Sequence, residues 1–158
     1  METKWAALGL LAVLGGCVVE SLSQVDSVAA FWQGRCDGQA EVALEFVASP
    51  FYWGNEGALP RDEVESRFTK AIEESHRQDG ATIECSERFD FDRMESLTPV
   101  ELETRFQIVI DDLVMDYEPG SDDRYVLVPA HPDANSDDPL QGFWRPDDGR
   151  WRHVAMFD

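Results

Sequence analysis

The sequence predicts an α+β domain in which N-terminal helices pack on a curved antiparallel sheet. Apolar residues recur at helical spacing as far as Gly80. The second half of the chain instead carries short strand-like runs separated by turn residues, and it ends in a predicted hairpin with strands at 142–145 and 150–157. Helices first and strands afterwards are typical of an α+β fold.

Three helices are predicted in the first half, over residues 22–34, 39–49 and 60–76. Pro50 ends the second helix, because proline cannot continue a helix, and Pro60 lies in the first turn of the third, where proline is favoured. The apolar faces of these helices consist of Val25, Val28, Ala29 and Trp32, then Ala40, Ala43, Leu44 and Val47, then Val64, Phe68, Ala71 and Ile72.

The second half is predicted to hold one short helix among strands. Residues 82–91 are expected to be extended, whereas Thr98 and Glu101 have the spacing of a capping box that starts a helix. Further strands are expected at 108–117 and 124–129. In the last strand, alternation places four residues on one face, namely Trp151, His153, Ala155 and Phe157.

The composition is that of a small, acidic, folded chain. Its 158 residues suffice for one domain, and 32 Asp and Glu against 13 Lys and Arg give a formal net charge of −19. A hydrophobic content of 43% supplies a core that a disordered chain would lack. This charge argues against binding to nucleic acid or to anionic lipid headgroups, because both need a basic face.

The N-terminus has the pattern of a targeting segment. Trp5 to Leu14 is an uncharged, mostly apolar run, too short to span a bilayer core of about 30 Å but suited to a signal peptide. It ends in Leu14, two glycines and Cys17, which resembles the lipobox of bacterial lipoproteins. The resemblance implies a signal peptide over residues 1–16, lipidation of Cys17 by acyl chains such as palmitate, and a short tether over 17–21.

The lipobox-like motif also sets the expected location. By that resemblance the lipid anchors the protein to a membrane of the cell envelope. Val18 rather than an acidic residue follows Cys17, which favours the outer membrane, facing the periplasm, in a two-membrane cell. The alternative is an ordinary signal peptide, since residues 21–23 are an acceptable cleavage site and Cys17 would then be a passenger.

Two cysteines remain in the mature chain, Cys36 and Cys85. In an exported protein an even pair predicts a disulfide, and two unpaired buried thiols are the alternative. No metal or cofactor is predicted, because the three histidines show no ligand spacing with either cysteine. An acidic loop beginning at Asp133 lacks both the glycine and the final glutamate of a calcium-binding loop.

The order of elements resembles the nuclear-transport-factor-2-like superfamily, which includes ketosteroid isomerases and polyketide cyclases. The similar features are the three helices, the passage from Ser49 to Tyr52 between two of them, and the terminal hairpin from Phe143 to Arg152. The resemblance implies a single domain over residues 22–158, shaped as a cone in which a bent sheet wraps around a long helix. It also implies an apolar pocket at the open end and a homodimer formed through the other face of the sheet.

Catalytic members of that superfamily move a proton with a buried carboxylate, whose pKa an apolar cavity raises toward the working pH. The candidates for such a role here are Asp116, which precedes Tyr117, and His153 on the last strand. Neither residue matches a catalytic position of the family. No catalytic residue is therefore assigned, and catalysis is not the favoured function.

Four aromatic residues complete the set that could line a pocket or contact a partner: Trp32, Tyr52, Trp53 and Trp151. Trp53 is the first candidate for a contact, because it lies in a turn-rich segment where burial is hardest to arrange. The favoured function is a non-catalytic, lipid-anchored domain that binds a small apolar ligand or an envelope protein. The alternatives are an isomerase or cyclase that uses the cone, and an assembly protein of an envelope complex.

Overall fold

The first helix begins where a side chain caps it. In the computed structural model, which describes residues 21–79, 85–134 and 138–157, the Ser23 hydroxyl accepts a hydrogen bond from the Asp26 backbone N–H at 3.1 Å. The described helices are α1 (Gln24–Cys36), α2 (Ala40–Leu44), α3 (Arg61–Asp79), α4 (Cys85–Arg88), α5 (Pro99–Phe106) and α6 (Ile110–Leu113).

The described strands are β1 (Val47–Trp53), β2 (Gly57–Leu59), β3 (Glu95–Leu97), β4 (Arg124–Val128), β5 (Leu140–Asp147) and β6 (Arg150–Met156). They form one sheet in the order β2-β1-β6-β5-β4-β3. Neighbouring strands are antiparallel except β1 and β6, which run parallel. The α+β class is confirmed, whereas the expectation of a purely antiparallel sheet is wrong, because β1 adds beside the last strand in the same direction.

The predicted helix over 39–49 is wrong beyond Leu44. The chain there leaves α2 and enters β1 at Val47. The pairing of β1 with β6 shifts register between Val47 and Tyr52, around Pro50, which has no backbone N–H to offer a sheet. Pairing with β6 and burial of the strand therefore outweigh the local helical spacing.

The strand expected at 108–117 is also wrong, because its apolar residues follow a helical spacing. Ile110, Val114 and Tyr117 are all buried, and the segment forms α6 and irregular structure that pack them together. Part of the extended segment expected over 82–91 is likewise helical, as α4. The first residues of that segment lie outside the described ranges.

The capping box and the terminal hairpin are confirmed. The Thr98 hydroxyl accepts from the backbone N–H of Glu101, and the Glu101 carboxylate accepts from the backbone N–H of Thr98 at 2.7 Å. β5 and β6 form a terminal hairpin as predicted, but the predicted turn over 146–149 is wrong, because the strands stay paired as far as Asp147 and Arg150. β4 lies within the predicted 124–129. The helices predicted at 22–34 and 60–76 correspond to α1 and α3.

Both faces of the sheet carry a hydrophobic cluster. The first cluster lies between the sheet and the helices α1, α2 and α3, and its largest buried residues are Phe31, Phe51, Phe68, Ile72 and Trp144. The second cluster lies on the opposite face under α5 and α6, and its buried residues are Leu102, Ile110, Val114, Tyr117, Tyr125, Phe143, Val154 and Ala155. Residues of α5 and α6 thus cover part of the face that is opposite the longer helices.

A bulge in β6 divides the residues that alternation placed on one face. Val154 is the extra residue of β6 opposite β5, so the side-chain alternation changes there. Trp151 and His153 pack with the first cluster, whereas Ala155 and Phe157 belong to the second. The prediction of one shared face is wrong for this reason.

Cys36 and Cys85 form the predicted disulfide, with their Cα atoms 5.8 Å apart. The bond joins the end of α1 to the start of α4. Cys17 and the predicted signal peptide lie outside the described residues. None of the described helices is long and apolar enough to cross a membrane.

Candidate functional site

His153 lies in the first cluster, on the side of the sheet where a cone would hold its pocket. The residue is 1% exposed. Its imidazole stacks on the Trp144 ring, with centroids 4.9 Å apart and planes at 7°, and it contacts Phe31 and Phe51 edge to face at centroid distances of 5.2 and 5.1 Å. Aromatic rings therefore occupy the space around this candidate residue.

The fit of the His153 ring depends on Gly142 of β5. A Cβ added at Gly142 would lie 2.2 Å from Nε2 of His153 and 3.0 Å from its Cδ2, so no larger residue can stand there without displacing the ring. Neither ring nitrogen has a hydrogen-bond partner within the described ranges. A buried, unpaired donor of this kind costs about 1–3 kcal/mol, which makes His153 an unusual choice for a core position.

Burial also decides the charge of His153. The pKa of the imidazole is lowered to about 3, mainly because the ring is removed from water and also because Arg35 is positive, while the nearby backbone of Ala155 opposes the shift only in part. The ring is consequently neutral at physiological pH. It is sealed from solvent, so it does not exchange protons with water in this state.

Gly142→Ala is expected to lower the free energy of unfolding by about 2 kcal/mol, because the new methyl group overlaps the His153 ring in a packed core. Urea unfolding measures the change. Gly120→Ala is the matched control, since a Cβ there meets only Asp123 atoms at ordinary distances of 3.6 Å or more. Equal stability of the two variants would show that His153 moves aside freely.

His153→Leu is expected to make the protein less sensitive to acid. In the wild type the unfolded imidazole takes up a proton below about pH 6.5 and the folded one only near pH 3, so stability is complete above pH 6.5 and falls as the pH drops. Between pH 6.5 and pH 5 the wild type should lose about 2 kcal/mol relative to the variant. Urea unfolding at both pH values measures this loss.

The matched control for that comparison is His131→Leu, at a partly exposed histidine. It shows how far the removal of a histidine outside the aromatic cluster alters the difference between the two pH values, and the His153 effect is the excess over that. A His153→Leu variant whose stability follows the wild type at both pH values would contradict the assigned burial of a neutral ring.

Asp116 lies at the surface rather than in a cavity. Its side chain is exposed, and its backbone adopts a left-handed conformation with φ of 60°. A Cβ added at Gly57 would lie 3.0 Å from an Asp116 carboxylate oxygen, so the two residues are neighbours. Asp116 therefore does not lie in an apolar cavity that could enclose a substrate, as the predicted role in proton transfer requires.

The four aromatic candidates lie on both faces of the sheet. Trp32 and Trp53 are partly buried against the first cluster, where Trp53 lies 5.5 Å from Phe68 by ring centroids. Trp151 packs on the same cluster, and its backbone N–H donates to the Ser27 hydroxyl at 3.0 Å. On the opposite face, Tyr52 packs on Tyr117 at a centroid distance of 5.3 Å. The candidates therefore do not surround one pocket among the described residues.

An open groove of about 430 Å³ lies where β1 and β6 begin and β5 ends. Three arginines line it, Arg61, Arg145 and Arg152, with Asp147 as the one acidic side chain of its described lining. Small residues supply most of the remaining wall, among them Ala48, Ser49, Pro146 and Val154. We call this concavity the Arg groove, after the three arginines that line it.

Arg61 is held in the groove wall by the backbone. Its Nη1 donates to the Val47 carbonyl at 2.9 Å and its Nη2 to the Leu44 carbonyl at 3.3 Å, while Nε pairs with Glu65 at 2.6 Å. Arg152 donates from Nε to Asp147 at 2.6 Å and from Nη1 to the Glu45 carbonyl at 2.6 Å. Both guanidinium groups are thereby fixed in position.

Arg145 is held by a buried carboxylate. Asp123, which is 1% exposed, accepts from Nε and Nη2 of Arg145 at 2.6 and 2.7 Å, from the Tyr117 hydroxyl at 2.7 Å and from the Gly120 backbone N–H at 2.9 Å. Burial alone would raise the pKa of Asp123, but these hydrogen bonds outweigh it and lower the pKa. The same network, together with burial, raises the pKa of Tyr117.

The arginines of the groove were not among the residues singled out from the sequence. A correct prediction of the hairpin register would have placed Arg145 and Arg152 side by side, because these two residues are strand partners. The predicted turn over 146–149 pairs Arg145 with Arg150 instead. The strands continue to Asp147 and Arg150 around a two-residue turn, which moves the register by two residues.

The comparisons with known proteins do not identify a relative: no protein-family model, no curated protein and no solved structure matches this chain. Within the described ranges, no group of three or more His, Cys, Asp or Glu side chains is arranged to hold a metal ion. Evidence for a function of this chain therefore comes from its sequence and from the geometry of its described residues.

Proposed function

We propose that this protein is a lipid-anchored, non-catalytic domain of the cell envelope that acts by binding. The lipobox-like sequence before Cys17 supports the anchor. The Cys36–Cys85 disulfide supports export, because such bonds persist in oxidising compartments outside the cytoplasm.

The locations of His153 and Asp116, the two candidates for proton transfer, favour a binding function over catalysis. His153 is enclosed by aromatic rings, whereas Asp116 is exposed to solvent. A general acid or base must lie within hydrogen-bond reach of a bound substrate, and neither the enclosed His153 nor the exposed Asp116 lines a cavity that would hold one. The filled surroundings of His153 also argue against a small apolar ligand there, so the proposed binding takes place at the surface.

Membership of the nuclear-transport-factor-2-like superfamily stays part of this proposal. It is supported by α1, α2 and α3, which pack on one face of the sheet, and by the terminal hairpin at its centre. The homodimer implied by that resemblance would use the opposite face, part of which α5 and α6 cover. Dimerisation remains a prediction that native mass spectrometry can test.

The proposed anchor would orient the domain. Leu22 donates its backbone N–H to the Gly149 carbonyl at 2.7 Å, so the chain enters the domain beside the β5–β6 turn. The four Cα–Cα steps from Cys17 to Ser21 span at most about 14 Å. An acylated Cys17 would hold this turn close to the membrane.

The test is mass spectrometry of the protein extracted from membranes of a host that expresses the full chain. We expect a species that begins at Cys17 and carries acyl chains, and we expect Cys17→Ser to abolish it. A soluble species that begins near Gln24 would contradict the anchor.

Two further experiments test the alternative functions. Isomerase activity on candidate ketones that is lost in Asp116→Asn would contradict the non-catalytic role. Co-purification of an envelope protein that is lost in Trp53→Ala would favour the assembly alternative.

A further inference from the structure

The Arg groove brings three guanidinium groups together in a chain whose net charge is −19. Each of them pairs with one carboxylate: Arg61 with Glu65, Arg145 with Asp123 and Arg152 with Asp147. Three of its lining side chains are arginines and one is an aspartate, whereas Asp and Glu outnumber Lys and Arg by 32 to 13 over the whole sequence. Acidic residues spread over a surface keep a protein soluble, but they do not require a cationic concavity. Guanidinium nitrogens that these carboxylates leave unpaired, rather than an excess of positive charge, therefore point to an anionic occupant.

The pairing of the hairpin strengthens this inference. Arg145 and Arg152 are register partners in the antiparallel β5–β6 pair, so their side chains leave the same face of the sheet side by side. Like charges directly opposite each other destabilise a sheet. Asp123 and Asp147 offset this repulsion from the sides and leave the two guanidinium groups next to the open volume.

Arg145 and Arg152 each have one guanidinium nitrogen that makes no hydrogen bond to the described residues. The bonds of Arg145 to Asp123 use Nε and Nη2, and those of Arg152 use Nε and Nη1. Within the described part of the chain, Nη1 of Arg145 and Nη2 of Arg152 make no hydrogen bond. A guanidinium held in place through two of its nitrogens, with the third unpaired, is well arranged to bind an oxyanion.

We propose that the Arg groove binds the carboxylate or phosphate group of a small molecule, held between Arg145 and Arg152. Arg61, which pairs with Glu65, adds a third guanidinium group to the wall, and the Ser49 hydroxyl can donate a hydrogen bond from it. The volume of about 430 Å³ suits a small ligand, and Pro146 and Val154 offer apolar surface to the rest of it. This inference deepens the proposed binding role and rests on it, but it does not depend on the lipid anchor.

The test is a calorimetric titration of the full-chain protein, extracted in non-ionic detergent at low ionic strength, with inorganic phosphate and separately with acetate. We expect saturable binding of at least one probe in the millimolar range. Arg152→Gln should weaken it about fivefold or more, because a charge-assisted donor is lost. Asp147→Asn should strengthen it severalfold, since the carboxylate that competes for Arg152 is removed.

Arg150→Gln is the matched control. It removes the same charge from the same strand, but Arg150 lies over the Phe46 ring and does not line the groove. Unchanged binding in this control, with loss in Arg152→Gln and gain in Asp147→Asn, would support a local site. Equal weakening by the two arginine variants, or no saturable binding of either probe, would overturn the proposal.

Two further comparisons identify the source of the anion. A clear preference for phosphate or for acetate assigns the ligand group. Binding of phosphate in detergent that disappears in phosphatidylcholine nanodiscs would assign the same oxyanion site to a lipid headgroup near the β5–β6 turn. An acylated Cys17 combined with an empty groove would overturn only this inference and leave the proposed envelope role standing.

Discussion

Asp123→Ala is expected to lower the free energy of unfolding by about 3 kcal/mol, one of the two largest losses we predict. The substitution leaves the buried Tyr117 hydroxyl and the Gly120 backbone N–H without their acceptor, and it removes the partner of Arg145. Arg145 is partly exposed, so water can solvate its freed guanidinium, and we therefore expect the lower end of the range for a broken buried pair.

Chemical denaturation at neutral pH measures this loss, with Asp122→Ala as the matched control at the neighbouring exposed carboxylate. The control should change stability by less than about 0.5 kcal/mol. A double-mutant cycle with Tyr117→Phe should give a coupling energy of about 1 kcal/mol, since the two side chains share a hydrogen bond. Additive effects in that cycle, or a stable Asp123→Ala variant, would contradict the network.

The contribution of Asp123 should also depend on pH in a known direction. The folded-state pKa is lowered, so the stabilisation is complete above the ordinary aspartate pKa of about 4 and is lost as the pH falls through the lower, folded value. The effect of His153 on the free energy of unfolding begins at a higher pH, because the unfolded imidazole takes up a proton below about pH 6.5. Mild acid therefore tests the histidine, and strong acid tests the aspartate.

The parts of the fold that the sequence predicted correctly are those that local chemistry determines. The Thr98–Glu101 capping box needs only four consecutive residues, and the side chains and backbone groups of those residues satisfy each other. The terminal hairpin depends on a turn and on strands directly beside it. The disulfide followed from the expected export of a chain with two remaining cysteines.

The parts that were mispredicted depend on partners distant in the sequence. The local sequence predicts that Val47 lies at the end of a helix. In the structure Val47 is in a strand, because it pairs with His153, which is over a hundred positions later in the chain. The bulge at Val154 reverses the alternation of β6 and sends His153 and Ala155 to opposite clusters. No local pattern around these residues encodes that pairing, so a single sequence could not reveal it.

In the candidate site, too, local sequence indicated a single residue, whereas its surroundings depend on partners distant in the sequence. His153 was singled out from its strand, but its stack with Trp144 and its dependence on Gly142 follow from the three-dimensional register of β5 and β6. The Arg groove requires Arg61, which reaches the carbonyl groups of residues 14 and 17 positions earlier. A site assembled from the start of α3 and from three strands can be recognised only once the sheet order is known.

Replacing both Cys36 and Cys85 by serine is expected to lower the free energy of unfolding by about 4 kcal/mol, the largest loss we predict. The disulfide spans 49 residues, and closing a loop of that length restricts the unfolded chain, which raises its free energy relative to the folded state. Chemical denaturation of the oxidised wild type and of the double variant measures the difference.

Two comparisons separate the disulfide from local packing. Reducing the wild type should lower its stability to nearly that of the double variant, since both then lack the cross-link. Substituting Ala for Ser at Cys85, which is fully buried, should recover part of the loss, because the serine hydroxyl adds a desolvation penalty that is unrelated to the loop. If the double variant and the oxidised wild type unfold at the same denaturant concentration, α1 and α4 are held together by packing alone and the loop-entropy account is wrong.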